Sequence, residues 1–267
     1  MPAAATKLGE DMLALALHEC QAIRRALEDR DDACESIHEA RKAIRRLRSL
    51  LALATDFIDG LDAVDRSLDR LAKGLSTLRD AHVAVVVAGK LADGDESSPW
   101  QAVSNALATS SDSLLAQELA RDPGLAHRRR TVARIERTLK GLSWTALGVK
   151  DLRSALMRSQ KRASKARACT EDDSSPENIH RWRRRTRRLR MQLEAMQTIA
   201  PGMAKAVARP SLGKQLKALH KLADELGWSQ DLQVLRALLR VMKQAPDRSL
   251  LLNQLQARIE DAGRRLL

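Results

Sequence analysis

The sequence predicts an all-α protein of two pseudo-symmetric antiparallel four-helix bundles that arose by internal duplication. Apolar residues recur at spacings of three and four along almost the whole chain, as in amphipathic helices. Only seven of the 267 residues are proline, and the alternation typical of strands is absent. A strongly basic segment also occurs twice, at residues 38–48 and 180–190. With helices this long, each half is most simply a four-helix bundle.

Short polar segments rich in Asp, Gly, Ser and Pro separate the predicted helices. One of them ends in Ser175-Pro176-Glu177, which suits a helix start because Ser caps well and Pro is tolerated in the first turn. We predict eleven helices, at residues 8–29, 33–57, 61–75, 80–92, 99–120, 125–141, 149–168, 176–199, 203–225, 230–244 and 247–266.

The two basic segments are copies of one motif. The first basic motif reads HEARKAIRRLR (38–48) and the second reads HRWRRRTRRLR (180–190). At an offset of 142, eight of the fifteen positions in 37–51 and 179–193 are identical. A second correspondence follows at an offset of 151. It pairs Arg66 with Lys217, Arg70 with Lys221, Leu75 with Leu226 and Asp80 with Asp231.

Two matched landmarks in the same order indicate an internal duplication. The predicted domains are therefore the two halves, 1–122 and 123–267. Their charges differ: residues 1–124 hold 15 Lys and Arg against 21 Asp and Glu, and residues 125–267 hold 32 against 13. The whole chain has a net charge of +13 and a pI of about 10.3. Such a balance favours a polyanionic partner.

On a helix, each basic motif places an apolar face beside a face of His, Arg and Lys. A basic run is most often only a solvated face, but a matched pair with registered histidines favours a binding surface. Arginine suits bidentate contacts to phosphate. Arg181, Arg185 and Arg188 are expected to lie off this face. The candidate anion-binding residues are His38, Arg41, Lys42, Arg45, Arg48, Arg66 and Arg70, with His180, Arg183, Arg184, Arg187, Arg190, Lys214, Lys217 and Lys221.

Several roles stay open. His38 and His180 suit either packing or contact with a ligand. Asp80 and Asp231 are expected to be structural, because each precedes an apolar helical stretch where it would cap a helix or orient a nearby arginine. The few aromatic residues, with Trp182 on the core side of its helix, weaken an RNA or single-stranded DNA interpretation without excluding duplex DNA.

Other function classes lack their signatures. The three cysteines form no C-x-x-C pair and are expected to be reduced thiols. No signal peptide is indicated at the start, and no apolar run is long enough to span a bilayer, so we expect a soluble, cytoplasmic protein. Phosphate-binding glycine loops, H-E-x-x-H and clustered metal ligands are absent. We therefore expect no catalytic residue, metal or cofactor.

The paired motifs resemble those of the CHAD domain family, the conserved-histidine α-helical domains. His38–Arg48 and His180–Arg190 match its H-x-x-R-[KRV]-x-x-R-R-L-R pattern, and Leu75–Val83 and Leu226–Val234 match its L-G-x-x-[RQN]-D-x-x-V element. Ser76 departs from that element, since the family usually has the glycine found here as Gly227. The resemblance implies two pseudo-symmetric bundles with a basic, histidine-containing cleft. It also implies binding of inorganic polyphosphate and location on polyphosphate granules.

Many members of that family are fused to a CYTH-type triphosphatase, whose E-x-E-x-K motif is absent here. The first hypothesis is accordingly a non-enzymatic polyphosphate-binding protein. The alternative is a DNA- or nucleoid-associated protein that uses the basic second half. A polyphosphate-metabolising enzyme and a protein that binds acidic lipids are weaker hypotheses, because neither a metal-ligand set nor a large exposed apolar helix face is indicated.

Overall fold

The computed structural model describes residues 2–29, 33–242 and 245–266, and in these residues it contains eleven α-helices and no strand. The predicted all-α class is therefore confirmed. Short 3₁₀ turns at Pro123–Leu125 and Trp144–Ala146 flank α6. The helices are α1 (Pro2–Glu28), α2 (Ala33–Leu51), α3 (Leu61–Gly74), α4 (Ser76–Ala92), α5 (Pro99–Arg121), α6 (Ala126–Lys140), α7 (Val149–Asp172), α8 (Pro176–Ile199), α9 (Pro201–Val207), α10 (Leu212–Val241) and α11 (Arg248–Leu266).

The predicted break between helices 203–225 and 230–244 is wrong. A short α9 is followed by the long α10, which continues through Gly227; residues 243 and 244 of the prediction lie outside the described residues. Leu226, Leu232 and Leu235 of α10 are fully buried at helical spacing. Burial of one leucine contributes about 1.5–3 kcal/mol, which exceeds the cost of about 1 kcal/mol for a glycine within a helix.

Other helix boundaries also differ from the prediction: α1 begins at Pro2 instead of residue 8, and α7 ends at Asp172 instead of residue 168. The helix predicted at 33–57 ends at Leu51 and gives way to turns, and the helix predicted at 80–92 begins at Ser76. Asp80 and Asp231 consequently lie inside α4 and α10, so capping by these residues is wrong. The helix that starts at Pro176 begins where the sequence predicts, although the Ser175 side chain donates or accepts no capping hydrogen bond.

The chain forms two compact units. The first unit comprises residues 1–74 and 124–223, and the second comprises residues 75–123 and 224–267. Each unit takes residues from both sequence halves, so the predicted domains 1–122 and 123–267 do not coincide with the units. The boundaries between the units nevertheless correspond in the sequence. One follows Gly74 and the other follows Ala223, which lies two residues before the position equivalent to Gly74 at the offset of 151.

In the first unit, α2 lies at the centre of the packing. It contacts α1, α3 and α8, while α1 also packs against α6 and α7 packs against α8 and α9. Met12, Ile23 and Leu47 are fully buried in this core. A Cβ atom at Gly9 of α1 would overlap the backbone of Trp144, whose indole Nε1 donates to the Leu139 carbonyl at 2.7 Å. Glycine is therefore required for this close approach.

The second unit has its own core, formed by α4, α5, α11 and the second part of α10. Helix α5 starts with Ser98 as a cap, since its side chain accepts a hydrogen bond from the Trp100 amide. The Trp100 indole is buried and donates to the Gln254 side chain of α11 at 2.8 Å. This hydrogen bond joins α5 to α11 in addition to their apolar packing.

Candidate anion-binding cleft

The two basic motifs lie on α2 and α8, which contact each other directly in the first unit. The Ser49 hydroxyl lies 3.6 Å from the Met191 sulfur, and the Gln192 amide donates to the Ser49 carbonyl oxygen at 3.0 Å. Ser49 and Gln192 are almost fully buried. The small serine side chain lets the helices come close at the C-terminal ends of the two motifs.

A cleft of about 390 Å³ lies between α2 and α8, next to this contact. Its lining is dominated by arginine, with one histidine and one carboxylate among the described lining residues. The lining comprises Arg45, Arg48 and Ser49 from α2, and Glu177, His180, Arg181, Arg184, Arg185, Arg187 and Arg188 from α8. So dense a group of cations in one concavity produces a strongly positive potential, because low-dielectric walls focus the field.

Five of the residues that the sequence singles out line this cleft: Arg45, Arg48, His180, Arg184 and Arg187. Three other lining residues were expected to lie off the binding face, and that expectation is wrong: Arg181, Arg185 and Arg188. They recur at spacings of four and three, so they form a stripe of their own. The periodicity of α8 alone does not show which of its faces borders the cleft. That depends on where α2 packs against it.

The other candidates in the two motifs lie outside the cleft lining. Arg41 donates to the Ala72 carbonyl of α3, and Lys42 contacts Glu39 at 2.6 Å. Arg190 of α8 contacts the Nδ1 atom of His220 at 3.0 Å. His38 and Arg183 are half-buried in α2 and α8.

The candidate residues in the helices that follow each motif lie outside the cleft, on α3 and on α10. Arg66 and Arg70 are exposed on α3, where they line a second, shallower groove together with Arg48, Asp65 and Asp69. Lys214, Lys217 and Lys221 are exposed on the first part of α10. The cleft therefore unites part of the predicted site, drawn mainly from the second motif.

Burial and mutual repulsion act on the arginines of the cleft. The pKa of Arg188 is lowered, mainly because burial disfavours its charge and also because Arg185 is close. The pKa of Arg185 is lowered by burial and by the nearby Arg162, Arg184 and Arg181. An anion in the cleft would relieve both effects, because it would supply the missing opposite charge.

Arg48 is in a different electrostatic environment. Its Nε and Nη2 donate to the two carboxylate oxygens of Asp65 at 2.7 and 2.9 Å, and its Nη1 donates to Asp69 at 2.6 Å. The hydrogen bond to Asp65 is the main reason that the pKa of Arg48 is raised. This is the bidentate geometry in which arginine and carboxylate interact most strongly.

Asp80 and Asp231, which the sequence matches to each other, belong to the second unit. Both accept hydrogen bonds from the guanidinium of Arg79, at 3.0 and 2.9 Å. Arg79 is nearly buried. The two matched aspartates thus hold one arginine between α4 and α10, and neither lines the cleft.

The described residues contain no group of three or more His, Cys, Asp or Glu side chains placed to hold a metal ion. Within the same residues, no helix has the length and apolar character needed to cross a membrane.

Fold and cleft together define an all-helical protein in which a basic motif that occurs twice in the sequence lines an arginine-rich concavity. The family model described as "CHAD domain" matches residues 11–266, and the chain belongs to the CHAD domain family. This family is linked to polyphosphate binding.

A comparison with solved structures agrees on the fold. The chain is similar to the crystal structure of the CHAD domain from the plant Ricinus communis, with a TM-score of 0.65 and 23% sequence identity. The similarity covers 97% of this chain and 85% of the plant chain. Comparison with curated proteins gave no match.

Proposed function

We propose that this chain binds inorganic polyphosphate in the cleft between α2 and α8, and that it does so without catalysing a reaction. The observation that carries the proposal is the lining of the cleft: seven arginines and His180 against Glu177. Polyphosphate carries about one negative charge per phosphate and has no bases to be recognised. Arginines arranged along a helix can contact successive phosphates and release counterions, as phosphate-binding proteins do on nucleic acids.

The size of the cleft favours a single phosphate chain over duplex DNA. A volume of about 390 Å³ suits a short stretch of one phosphate chain, whereas a duplex presents two phosphate backbones separated by its grooves, of which only one could approach the cleft. DNA would have to contact the outer rim of the cleft, where the cations are more solvated and their contacts weaker. DNA binding is therefore the second candidate, and the experiment below separates the two.

The absence of catalysis is part of the proposal and has its own test. The lining supplies donors that suit a bound anion, whereas enzymes that transfer phosphoryl groups usually position metal ions with several carboxylates. We expect no release of inorganic phosphate when polyphosphate is incubated with the protein and Mg²⁺ or Mn²⁺. Metal-dependent release that persists in a preparation free of contaminating phosphatase would overturn this part.

The main experiment is calorimetric titration with long-chain polyphosphate over a series of salt concentrations. Duplex DNA at equal phosphate concentration is titrated alongside. The cleft variant changes Arg184, Arg187 and Arg188 to glutamine. The matched control changes three exposed cations of α7, Lys150, Arg153 and Lys161, to glutamine, which alters the net charge equally.

We expect the cleft variant to bind polyphosphate at least about 10-fold more weakly, with a shallower dependence of log Kd on log salt, because three phosphate contacts are lost. The α7 control should change affinity less than about 3-fold. Equal losses in both variants would mean that only net charge matters, and DNA binding as tight as polyphosphate binding would favour the second candidate. No polyphosphate binding at moderate salt would refute the proposal.

We further propose a cytoplasmic protein that this binding brings to polyphosphate granules. A fluorescently tagged chain should co-localise with stained polyphosphate, and the cleft variant should be dispersed. We also infer an internal duplication with pseudo-symmetric copies. Supporting it, Ser49 and Met191 occupy equivalent motif positions and contact each other.

A further inference from the structure

The two copies of the basic motif hold equivalent arginines in different environments. Arg48 and Arg190 are equivalent at the offset of 142. The guanidinium of Arg48 donates three hydrogen bonds to two carboxylates. Arg190 instead contacts a ring nitrogen of His220, and its Nε lies 3.7 Å from the Glu194 carboxylate, which is an ion pair but too long for a hydrogen bond. At the offset of 151, Asp65 corresponds to Leu216 and Asp69 to His220. Where the first copy has two carboxylates, the second has a leucine and a histidine.

The partners of Arg48 and Arg190 also sit in corresponding places. Arg48 Nη1 lies 2.6 Å from the Asp69 carboxylate, and Arg190 Nη1 lies 3.0 Å from Nδ1 of His220. The opposite ring nitrogen of His220, Nε2, lies 2.8 Å from the Glu194 carboxylate. The guanidinium Nη1 thus contacts a carboxylate in the first copy and an imidazole ring in the second.

Other cations of the first copy are also held by carboxylates. In α2, Lys42 pairs with Glu39 at 2.6 Å, and Arg46 pairs with Glu19 at 2.8 Å. Helix α3 contains three acidic and three basic residues, so it has no net charge. Its exposed arginines, Arg66 and Arg70, line a groove that also contains Asp65 and Asp69. A polyanion that reached this groove would meet as many fixed negative charges as exposed arginines.

Three arginines of the second copy lack such carboxylate partners among the residues that the structure describes. Within the described residues, Arg184, Arg185 and Arg188 of α8 have no carboxylate hydrogen-bonded or ion-paired to them. Asp65 lies close enough to Arg188 to oppose part of the lowering of its pKa, so this carboxylate marks the border between the neutralised and the cationic parts of the surface.

We infer that Asp65 and Asp69 determine the extent of the anion-binding surface: they neutralise Arg48 and the exposed stripe of α3, and leave binding to α8. This inference rests on the proposed polyphosphate function. Three of the five N–H donors of Arg48 already bind the carboxylates of Asp65 and Asp69, so a phosphate oxygen would meet a guanidinium whose charge is largely neutralised. The path of a bound chain therefore stops near Arg48, and the two copies contribute unequally.

The test compares variants matched in charge within and between copies. The second-copy variant is Arg184→Gln with Arg185→Gln, and the first-copy variant is Arg66→Gln with Arg70→Gln. The border variant is Asp65→Asn with Asp69→Asn. Its control is Asp59→Asn with Asp62→Asn, which removes the same charge from exposed positions in the turn before α3 and in its first turn. Circular dichroism and urea unfolding establish that each variant is folded before titration with long-chain polyphosphate.

We expect the second-copy variant to lose at least about 10-fold in affinity and the first-copy variant less than about 3-fold. The border variant should bind at least about 3-fold more tightly than its charge-matched control, because Arg48 becomes available. In the border background, loss of Arg66 and Arg70 should then weaken binding by about 10-fold.

The two proposals fail in different ways. If the wild-type protein binds no polyphosphate, the proposed function is wrong. If the wild type binds but the first-copy and second-copy variants lose equal affinity, the function stands and the unequal contribution is wrong. If the border variant and its control bind equally, Asp65 and Asp69 do not set the extent of the surface.

Discussion

Ser49 and Met191 occupy the same position in the two copies of the basic motif, and their side chains lie 3.6 Å apart. The copies therefore meet at equivalent residues. Gln192 reinforces the contact through its bond to the Ser49 carbonyl oxygen. We expect the width of the arginine-lined cleft to depend on how closely α2 and α8 approach at this contact. The packing of these two uncharged side chains would then set the distance between the arginines of α2 and those of α8.

Ser49→Leu tests this dependence without changing any charge. Overpacking at a buried helix contact costs about 1–3 kcal/mol, and we expect a lower urea midpoint together with weaker polyphosphate binding. Ser110→Leu, on the exposed face of α5, is the control and should alter neither property. Unchanged affinity in a clearly destabilised Ser49→Leu protein would show that the cleft does not depend on this contact.

Gly9→Ala should destabilise the protein although alanine is the better helix former. A Cβ at this position would overlap the Trp144 backbone, and the strain should cost about 1–3 kcal/mol. Gly213→Ala in α10 is the matched control, because no atom lies within 4 Å of its added Cβ. There we expect no loss, or a gain of about 0.5–1 kcal/mol. Urea unfolding gives the free energy of unfolding of both variants. Equal stability of the two would contradict the close packing of Gly9 against the Trp144 backbone.

Asp231→Asn should destabilise the second unit more than Asp80→Asn. Arg79 is only 14% exposed, and its two partners differ, with Asp231 22% and Asp80 44% exposed. Weakening the more buried pair should cost about 1–3 kcal/mol, and weakening the more exposed one less than about 1 kcal/mol. Hydrogen exchange of α4 and α10 amides reports on this unit directly. The reverse order of effects would show that Asp80 is the principal partner.

Cys20 should make stability depend on alkaline pH. Burial, with help from Glu136 and Glu19, raises the pKa of its thiol from 9.0 to about 12. Above pH 9 the unfolded chain loses a proton that the folded chain keeps, so stability should fall as pH rises from 9 towards 12. The slope approaches about 1.4 kcal/mol per pH unit.

The measurement for Cys20 is urea unfolding at pH 8, 9 and 10 for the wild type and for Cys20→Ala. The cavity in the variant lowers stability at every pH alike, so the comparison is between slopes. We expect the variant to lose less stability than the wild type between pH 9 and 10. Parallel slopes would refute the role of Cys20.

Much of the fold was predictable because apolar spacing reports helices well. The start of α8 at Pro176 follows from its Ser-Pro-Glu signal. The continuity of α10 was missed because Gly227 and its polar neighbours resemble a break, whereas leucines buried on either side maintain the helix. That information lies in the tertiary packing and not in the local sequence.

The site was partly predictable for a similar reason. The motif identified Arg184 and Arg187, since both lie on the face that bears His180. It did not identify Arg188, because the choice between two basic faces depends on where α2 packs. Nor could it show that Arg48 is held by Asp65 and Asp69, since those carboxylates are 17 and 21 residues away along the chain.

Each compact unit is built from segments far apart in the sequence, and this has a consequence during synthesis. Residues 1–74 leave the ribosome well before residues 124–223, with which they share a core. Residues 75–123 likewise wait for 224–267. Contacts of such high sequence separation slow folding and prolong the exposure of apolar helix faces. A nascent chain arrested at residue 122 should therefore be sensitive to protease, because it lacks the second segment of both units. One arrested after residue 223 should already protect the first unit.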